Sequence, residues 1–271
     1  VFNSINTLER AINSLLIQPE INEIFIVDDG SSDGSYELAK KLESKHPLIK
    51  VLIHENRINK GASAARNLGL KYCTNEWIQF LDADDELCEN KIRFQIEYIK
   101  NEYSLIIGSS YVFSKNKCII RSPLNDVFSG LFCGKAGDTC SNLWNKQFIL
   151  SAGAWNEDLP NTQEYELMFR IFKINPNVFI DLQPKTNIFY QKDSITFSQI
   201  KKFEKRDNHV LLKNSIREYL IQMNLFNFQR NYYYSVGIAT IKRYHKTKIC
   251  TYENFIFYLF YKVLKSITDR I

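Results

Sequence analysis

Three carboxylates close the run Trp77-Ile-Gln-Phe-Leu-Asp-Ala-Asp-Asp85, with Asp82, Asp84 and Asp85 crowded at its end. Like charges this close repel one another. A hard divalent cation with oxygen ligands relieves the repulsion and usually brings substrate phosphates with it. The apolar, aromatic lead-in reads as a buried strand, so the carboxylates sit at its mouth. An acidic turn capping the helix that starts near Glu89 would use the same residues, because Asp is favoured in caps and turns. A second acidic pair, Asp28 and Asp29, ends the β-branched and aromatic run Ile24-Phe-Ile-Val27. Carboxylates at a strand end are well placed to accept from the N–H groups of a base or the hydroxyls of a ribose. The following Asp29-Gly-Ser-Ser-Asp-Gly-Ser35 is not a calcium loop: counted from Asp29, the twelfth position is Lys40 rather than Glu, and a strand precedes it instead of a helix. A turn with a helix cap remains open for Ser31–Ser35.

A third segment, Asn59-Lys-Gly-Ala-Ser-Ala-Ala-Arg-Asn67, opens a helix after a strand and a short loop. Gly61 permits close backbone approach, and free N–H groups at a helix start favour phosphate. Lys60 and Arg66 add positive charge. The spacing is neither a Walker A loop nor a GxGxxG fingerprint, which disfavours an ATPase or a dinucleotide enzyme.

The elements that must hold these groups alternate. Strand signals at Ile24–Val27, Ile49–Ile53, Trp77 and Leu105–Ile107 are interleaved with helical patterns over Tyr36–Lys45, Ala62–Cys73 and Lys91–Lys100. That order predicts βαβ units and a mostly parallel sheet, whose functional groups gather at the carboxyl ends of the strands. After Pro123 the sequence becomes loop-rich, with Gly130, Gly134 and Gly137. Helices are expected near Lys146–Ser151 and over Thr162–Ile174, and short strands at Val178–Ile180 and Ile188–Tyr190. Beyond Ile200 the pattern is helical.

Charge divides the 271-residue chain unevenly. Residues 201–271 hold 14 Lys/Arg against 5 Asp/Glu, a local balance of +9, while the first 200 residues balance at −4. The tail also carries 14 Phe/Tyr, including Tyr232-Tyr-Tyr234 and the run Phe255–Tyr261. Two parts are therefore expected, a 1–200 domain for chemistry and a basic, aromatic 201–271 region for docking. An anionic membrane surface is the expected partner of the tail, against the plainer reading that its aromatics fill helix contacts. No nucleic-acid stacking motif is present, so nucleic acid is not expected as a partner. The six cysteines form no Cys-x-x-Cys pair and read as reduced thiols of a cytoplasmic protein. Phe255–Tyr261, the longest apolar run, is far below the ~20 residues that span a bilayer. The opening on Val1 without an initiator Met leads us to expect missing residues upstream.

In order, Val1-Phe-Asn3, the DDGSSDGS run, NKGASAARNLGL, FLDADDEL and Gln163-Glu-Tyr-Glu-Leu167 resemble the motifs of family 2 glycosyltransferases over roughly residues 1–190. The resemblance implies a GT-A fold, a nucleotide-binding αβα sandwich with a metal-binding DxD motif, here lacking its first strand before Val1. It implies an inverting transferase that moves a sugar from a nucleotide-diphosphate donor, UDP-linked by expectation, to a glycan or lipid-linked glycan hydroxyl in cell-surface polysaccharide synthesis. Asn3 would belong to the nucleotide-sugar site. Asp29, with Asp28 beside it, would contact the uracil, and Lys60 and Arg66 would lie by the base and diphosphate. Asp82 would hold the ribose or sugar. Asp84 would hold Mn²⁺ or Mg²⁺, with Asp82 and Asp85 in support. The family's base is the Asp of a Glu-Asp pair that opens a helix, and the aligned pair here is Gln163-Glu164, which makes Glu164 the expected base. The alternatives are a sugar nucleotidyltransferase, whose Gly-rich loop Val1–Arg10 lacks, and a degenerate nucleotide-sugar-binding module without transfer activity.

Overall fold

The computed structural model describes residues 1–114, 117–190 and 202–245, with Leu259 and Val263. The chain forms two compact units, one of Val1–Pro123 and Gly137–Ser194, the other of Leu124–Ala136 and Ile195–Ile271.

In the first unit, α1 (Leu8–Leu16) buries Leu8, Ala11, Ile12 and Leu15, one stripe of an amphipathic helix. Strand β1 (Ile24–Asp28) alternates buried and half-buried residues and runs parallel to β2 (Ile49–Ile53) across α2 (Ser35–Lys45). Val1 lies beside the end of β1: its amino group donates to Val27 O at 2.7 Å and its carbonyl accepts from Asp29 N at 2.8 Å. This is the bond pair of a parallel ladder. Next come α3 (Ala62–Tyr72), β3 (Trp77–Ile78), β4 (Glu86–Leu87) and α4 (Lys91–Ile96).

The larger sheet is built on β5 (Leu105–Ser114), whose residues Leu105–Ser110 are all buried, as befits a strand covered on both faces. The remaining elements of this unit are β6 (Lys117–Arg121), β7 (Leu143–Asn145), α6 (Lys146–Ser151), α7 (Gln163–Ile174) and β8 (Val178–Phe189), with α5 (Val127–Cys133) assigned to the second unit. Strand order is β3-β7-β5-β8-β4, with β6 pairing β5. Among the described residues, β1–β2 and β5–β8 pair in parallel, and β3–β7, β4–β8, β5–β6 and β5–β7 are antiparallel. The α/β fold expected from the alternation is present, but the sheet is mixed rather than mostly parallel. The βαβ rule holds for β1–α2–β2 and gives way in the larger sheet, where β5–β8 is parallel and the other described pairings are antiparallel. The expected strand through Trp77–Asp85 is likewise only two residues long. Residues 79–85 are a crossing segment, since β3 and β4 lie at opposite edges of the sheet.

That crossing is anchored on a buried polar group. Lys91, 0% exposed, donates from Nζ to Gln79 Oε1, and Gln79 Nε2 donates to Cys140 O at 2.8 Å. Gln95 donates to Asp181 Oδ2 at 3.2 Å nearby.

The second unit gathers α5 against α8 (Lys202–Gln222) and α9 (Phe228–His245). The Gly-rich stretch after Pro123 thus hides a helix, capped by the Asp126 carboxylate accepting from Ser129 N at 2.8 Å and ended by Gly134 at φ 75°. Three cations of the tail are engaged within this unit. Arg230 pairs with Asp126 at 2.6 Å, Arg217 stands over the rings of Phe226 and Tyr234, and Lys213 is buried with its pKa lowered by burial to about 8. Tyr234 packs edge-on against Phe132. Cys250 and, apart from Leu259, the run Phe255–Tyr261 lie outside the described residues, in which Cys73, Cys88, Cys118, Cys133 and Cys140 are free thiols. Among the described residues no helix is long and apolar enough to cross a membrane.

Burial lowers the Lys91 pKa to about 7, against pushes upward from Cys140 and Asp181. An unfolded Lys keeps its proton to about pH 10. Between these values the unfolded chain binds a proton that the folded chain lacks, so stability rises with pH and falls back as pH drops to 7. Lys91→Met removes this slope. Measured by urea unfolding, its stability relative to the wild type is expected to fall by about 2 kcal/mol from pH 7 to pH 9. Parallel pH curves for the two proteins would contradict this.

Candidate active site

The carboxyl end of β1 is tied to two loops. Asp28 is fully buried and accepts from Ser31 N at 3.2 Å, with Arg57 at 4.0 Å; among the described residues its Oδ1 has no hydrogen-bond partner. Asp29 accepts from Lys60 N at 2.7 Å and from Gly61 N at 2.8 Å, one bond to each oxygen, with His54 Nε2 at 3.5 Å. Its carboxylate therefore holds the loop before α3, where Gly61 takes φ 90°. Gly30, at φ 79°, passes so close to Asn59 N and Arg57 O that a Cβ would collide with both. Asn3 lies against the same turn, its N–H donating to Ser31 Oγ at 3.1 Å and its Oδ1 accepting from Ser32 N at 2.9 Å. Asp33, just before the Gly34 N-cap of α2, accepts from Ser35 N at 3.0 Å and from Ile5 N at 3.0 Å. The acidic Gly-Ser run thus works as a backbone clasp, which is the turn-and-cap reading in physical form. The Lys60 side chain is exposed.

Arg66 joins the sequence-predicted groups that lie far apart in the chain. Its Nη2 donates to Asp82 Oδ1 at 2.7 Å and its Nη1 to Gln163 Oε1 at 3.3 Å, and its guanidinium stands 4.7 Å from the Trp155 ring centre. Trp155 is held by the next residue: Asn67 Oδ1 accepts from Trp155 N at 3.0 Å while Nδ2 donates to Trp155 O at 2.9 Å. Phe80 packs edge-on against both Trp144 and Trp155, beneath the carboxylate segment.

The three carboxylates separate in role. Asp82 has a 45% exposed side chain bound to Arg66. Asp84 is half-buried, and among the described residues no other group donates to its carboxylate; burial, then the charge of Asp82, raises its pKa. Asp85 turns inward, Oδ1 accepting from Phe189 N at 3.0 Å and Oδ2 from Cys140 Sγ at 3.2 Å. Burial, followed by Asp82 and Asp84, pushes its pKa up to about 8. Each Asp85 oxygen thus accepts a bond from the protein, which ties the carboxylate segment to the end of β8. Among the described residues no group of three or more His, Cys, Asp and Glu is arranged to hold a metal ion.

Glu164 is the second residue of α7, whose N-cap Thr162 is a β-branched residue held at φ 60°. Such a conformation costs about 1–3 kcal/mol and persists only where its surroundings enforce it. Burial raises the Glu164 pKa, Arg66 lowers it, and Asp138 and Asp82 raise it. A carboxylate with raised pKa beside a polar cluster is suited to taking a proton near neutral pH. Asp138, bound to Arg121 and accepting from Ser110 Oγ at 2.8 Å, is a member of this cluster that the sequence did not signal, because it lies in an unpatterned Gly-rich loop. Trp155 and Asn67 were also missed; the Arg-Asn pair opening a helix was the only hint.

Asn67→Ala leaves the Trp155 N–H without its acceptor. A loss of about 1–3 kcal/mol in unfolding free energy is expected from urea denaturation. Unchanged stability would mean that the Asn67 clasp does not hold the loop.

Residues 1–156 match the family described as Glycosyl transferase family 2. An uncharacterized glycosyltransferase of Rickettsia conorii is 31% identical over 189 residues, 65% of this chain and 31% of the relative. A UDP-Glc:α-D-GlcNAc-diphosphoundecaprenol β-1,3-glucosyltransferase of Escherichia coli is 37% identical over 120 residues, 44% of this chain and 46% of the relative. The chain thus spans less than half the length of either relative. Among solved structures, Staphylococcus aureus TarS 1–349 in complex with UDP-GlcNAc superimposes with a TM-score of 0.68 at 13% identity, covering 89% of this chain and 70% of that one. The mannosyltransferase PcManGT of Pyrobaculum calidifontis, in complex with GDP-Man and Mn²⁺, gives 0.58 at 11% identity, covering 97% and 78%. These likenesses show the GT-A fold. With the family match extending over more than half of its length, this chain belongs to glycosyl transferase family 2.

Proposed function

We propose that the chain transfers a sugar from a nucleotide-diphosphate donor to an acceptor hydroxyl, with inversion at the anomeric carbon. The observation that carries this reading is the bridge through Arg66, which ties Asp82 of the carboxylate segment to Gln163 at the start of α7, next to Glu164. A donor-side group and a candidate base are thereby held in one frame, and relative position of this kind supplies much of the rate in such chemistry. UDP in the donor is supported by the names of the E. coli relative and the TarS complex, and a lipid-linked glycan acceptor by the former alone.

Asp84 fits a divalent cation. Its carboxylate takes no bond from another described residue, and the charge of Asp82 acts on it unfavourably. Mg²⁺ and Mn²⁺ bind well to one or two carboxylates completed by substrate phosphates, so Asp84 with Asp82 is the set that would hold one. When bound, the metal supplies positive charge to the departing diphosphate. Lys60, exposed beside Gly61, adds charge for the same phosphates. Glu164 removes the proton of the acceptor hydroxyl as it attacks the anomeric carbon from the face opposite the nucleotide. Arg66 keeps Asp82 and α7 in register during that step. A peripheral hold on an anionic membrane surface through 201–271 draws nothing from Lys213, Arg217 or Arg230, which are engaged within their own unit, and rests on the remaining Lys and Arg of that region.

Glu164→Gln is expected to lower transfer by about 10²–10⁴-fold with little change in donor affinity, read as UDP release at saturating donor. A near-normal rate would remove Glu164 as the base and favour a binding module or another acid. Asp84→Ala should abolish metal-dependent nucleotide binding, measured by calorimetry with and without Mn²⁺, while thermal unfolding stays close to that of the wild type. Full activity in EDTA would refute the metal assignment.

A further inference from the structure

Glu164 lies within electrostatic reach of two groups, Arg66 with Asp82 on the carboxylate segment, and Asp138. The second group has its own construction. Asp138 Oδ1 accepts from Arg121 Nη1, and Oδ2 from Ser110 Oγ at 2.8 Å. Arg121 also donates from Nη2 to the Tyr190 hydroxyl, and its guanidinium stands 5.6 Å from the Tyr190 ring centre. Tyr165, next to Glu164 on α7, donates its hydroxyl to Gly137 O at 3.2 Å. The loop carrying Asp138 is rigidly set. Asp138 N donates to Ser141 Oγ at 2.8 Å, the Asp138 carbonyl accepts from Ser141 N at 3.1 Å, and Gly137, at φ 76°, has no room for a Cβ against Asn142.

Strands β5 and β6, the residue just after β8, the loop at 137–142 and helix α7 therefore bring one carboxylate, one guanidinium, two phenols and a hydroxyl together beside the candidate base. The group is not sealed: the Arg121 and Asp138 side chains are 25% and 17% exposed, and both tyrosines are half-buried. Its hydrogen-bonding capacity is not exhausted either. A carboxylate offers about four acceptor sites and a guanidinium five N–H donors, more than the bonds above use. Arg121 and Asp138 cancel each other's charge, so the group holds no net charge for a phosphate or a carboxylate. Paired donors and acceptors next to aromatic faces suit a neutral ring rich in hydroxyls.

We propose that Asp138, Arg121, Tyr190 and Tyr165 form the subsite for an uncharged pyranose of the acceptor and present its hydroxyl to Glu164. The assignment to the acceptor rests on Glu164 being the base. A base must touch the hydroxyl it deprotonates, and the other polar group near Glu164 belongs to the carboxylate segment on the donor side.

The test is saturation-transfer NMR on the full chain with UDP present. The probes are the methyl glycosides of glucose, galactose and N-acetylglucosamine, with glucuronate and glucose 6-phosphate as charged counterparts. At least one neutral glycoside is expected to bind, and more tightly than the charged sugars. Asp138→Asn and Tyr190→Phe are each expected to weaken it about tenfold or more, since each removes a bond to a charged or polar group, with UDP affinity retained. Tyr190→Phe keeps the test valid if Asp138→Asn unfolds. Binding that survives in Glu164→Gln separates the subsite from the base, so loss of the base reading alone would leave this result standing. The proposal is overturned if no neutral glycoside binds, if a charged sugar binds better, if both variants bind like the wild type, or if a UDP-sugar displaces the glycoside where UDP does not.

Discussion

The arrangement depends on one segment that has to cross a sheet. Residues 79–85 join β3 at one edge to β4 at the other, passing β7, β5 and β8 on the way. Four strand spacings amount to about 19 Å. The chain from Ile78 to Glu86 reaches roughly 27 Å when fully extended. Little slack remains once Asp85 N has turned back onto Asp82 O at 3.1 Å. The segment is consequently nailed down at both ends, by Gln79 on Cys140 and Lys91 at the start and by Asp85 on Phe189 at the finish. Only the middle, Asp82 and Asp84, is left to face outward. Burying Lys91 and Asp85 costs stability at neutral pH, as the shift of each pKa toward its neutral form indicates. That cost falls where the crossing has to be held.

The acidic residues divide by what their oxygens touch. Asp29, Asp33, Asp85 and Asp126 each accept from backbone N–H groups that would otherwise be unpaired at turns and helix starts. Among the described residues, Asp82, Asp84 and Glu164 accept no backbone bond from another residue, and each lies within electrostatic reach of at least one other member of the set. Sequence position does not separate these classes, because an Asp at a strand end serves equally well as a clasp or a ligand. Their hydrogen bonds do.

Much of this was legible in the sequence. The β1–α2–β2 alternation, the ends of α3 and the start of α7 follow from apolar periodicity, and the ordered motifs were enough to expect the family. Three features were hidden for identifiable physical reasons. The hydrophobic run Trp77–Leu81 imitates a strand, yet Phe80 is buried against two tryptophans from elsewhere in the chain rather than in a ladder. Helix α5 has seven residues, with glycine inside it and just after it, and its apolar side is complete only against α8 and α9. The cluster around Asp138 draws Ser110 from β5, Arg121 from β6 and Tyr190 from just beyond β8, so no local spacing could announce it.

The Gln163-Glu164 pair shows how a departure from a family pattern can fit its own surroundings. At position 163 the side chain has two neighbours of opposite need. Arg66 offers an N–H, which Gln163 Oε1 accepts, while Leu159 O requires a donor, which Gln163 Nε2 supplies at 2.7 Å. A glutamate there would satisfy Arg66 but set a carboxylate oxygen against a carbonyl, leaving that carbonyl unpaired. It would also place another negative charge beside Asp82 and Glu164, on an arginine already bound to Asp82. With glutamine, Arg66 remains, among the described residues, the cation shared between the carboxylate segment and α7. Glu164 then keeps a stabilising charge within reach while burial holds its pKa above the ordinary glutamate value. The extra methylene of Glu164 lets its carboxylate reach further from the helix backbone than an aspartate would allow.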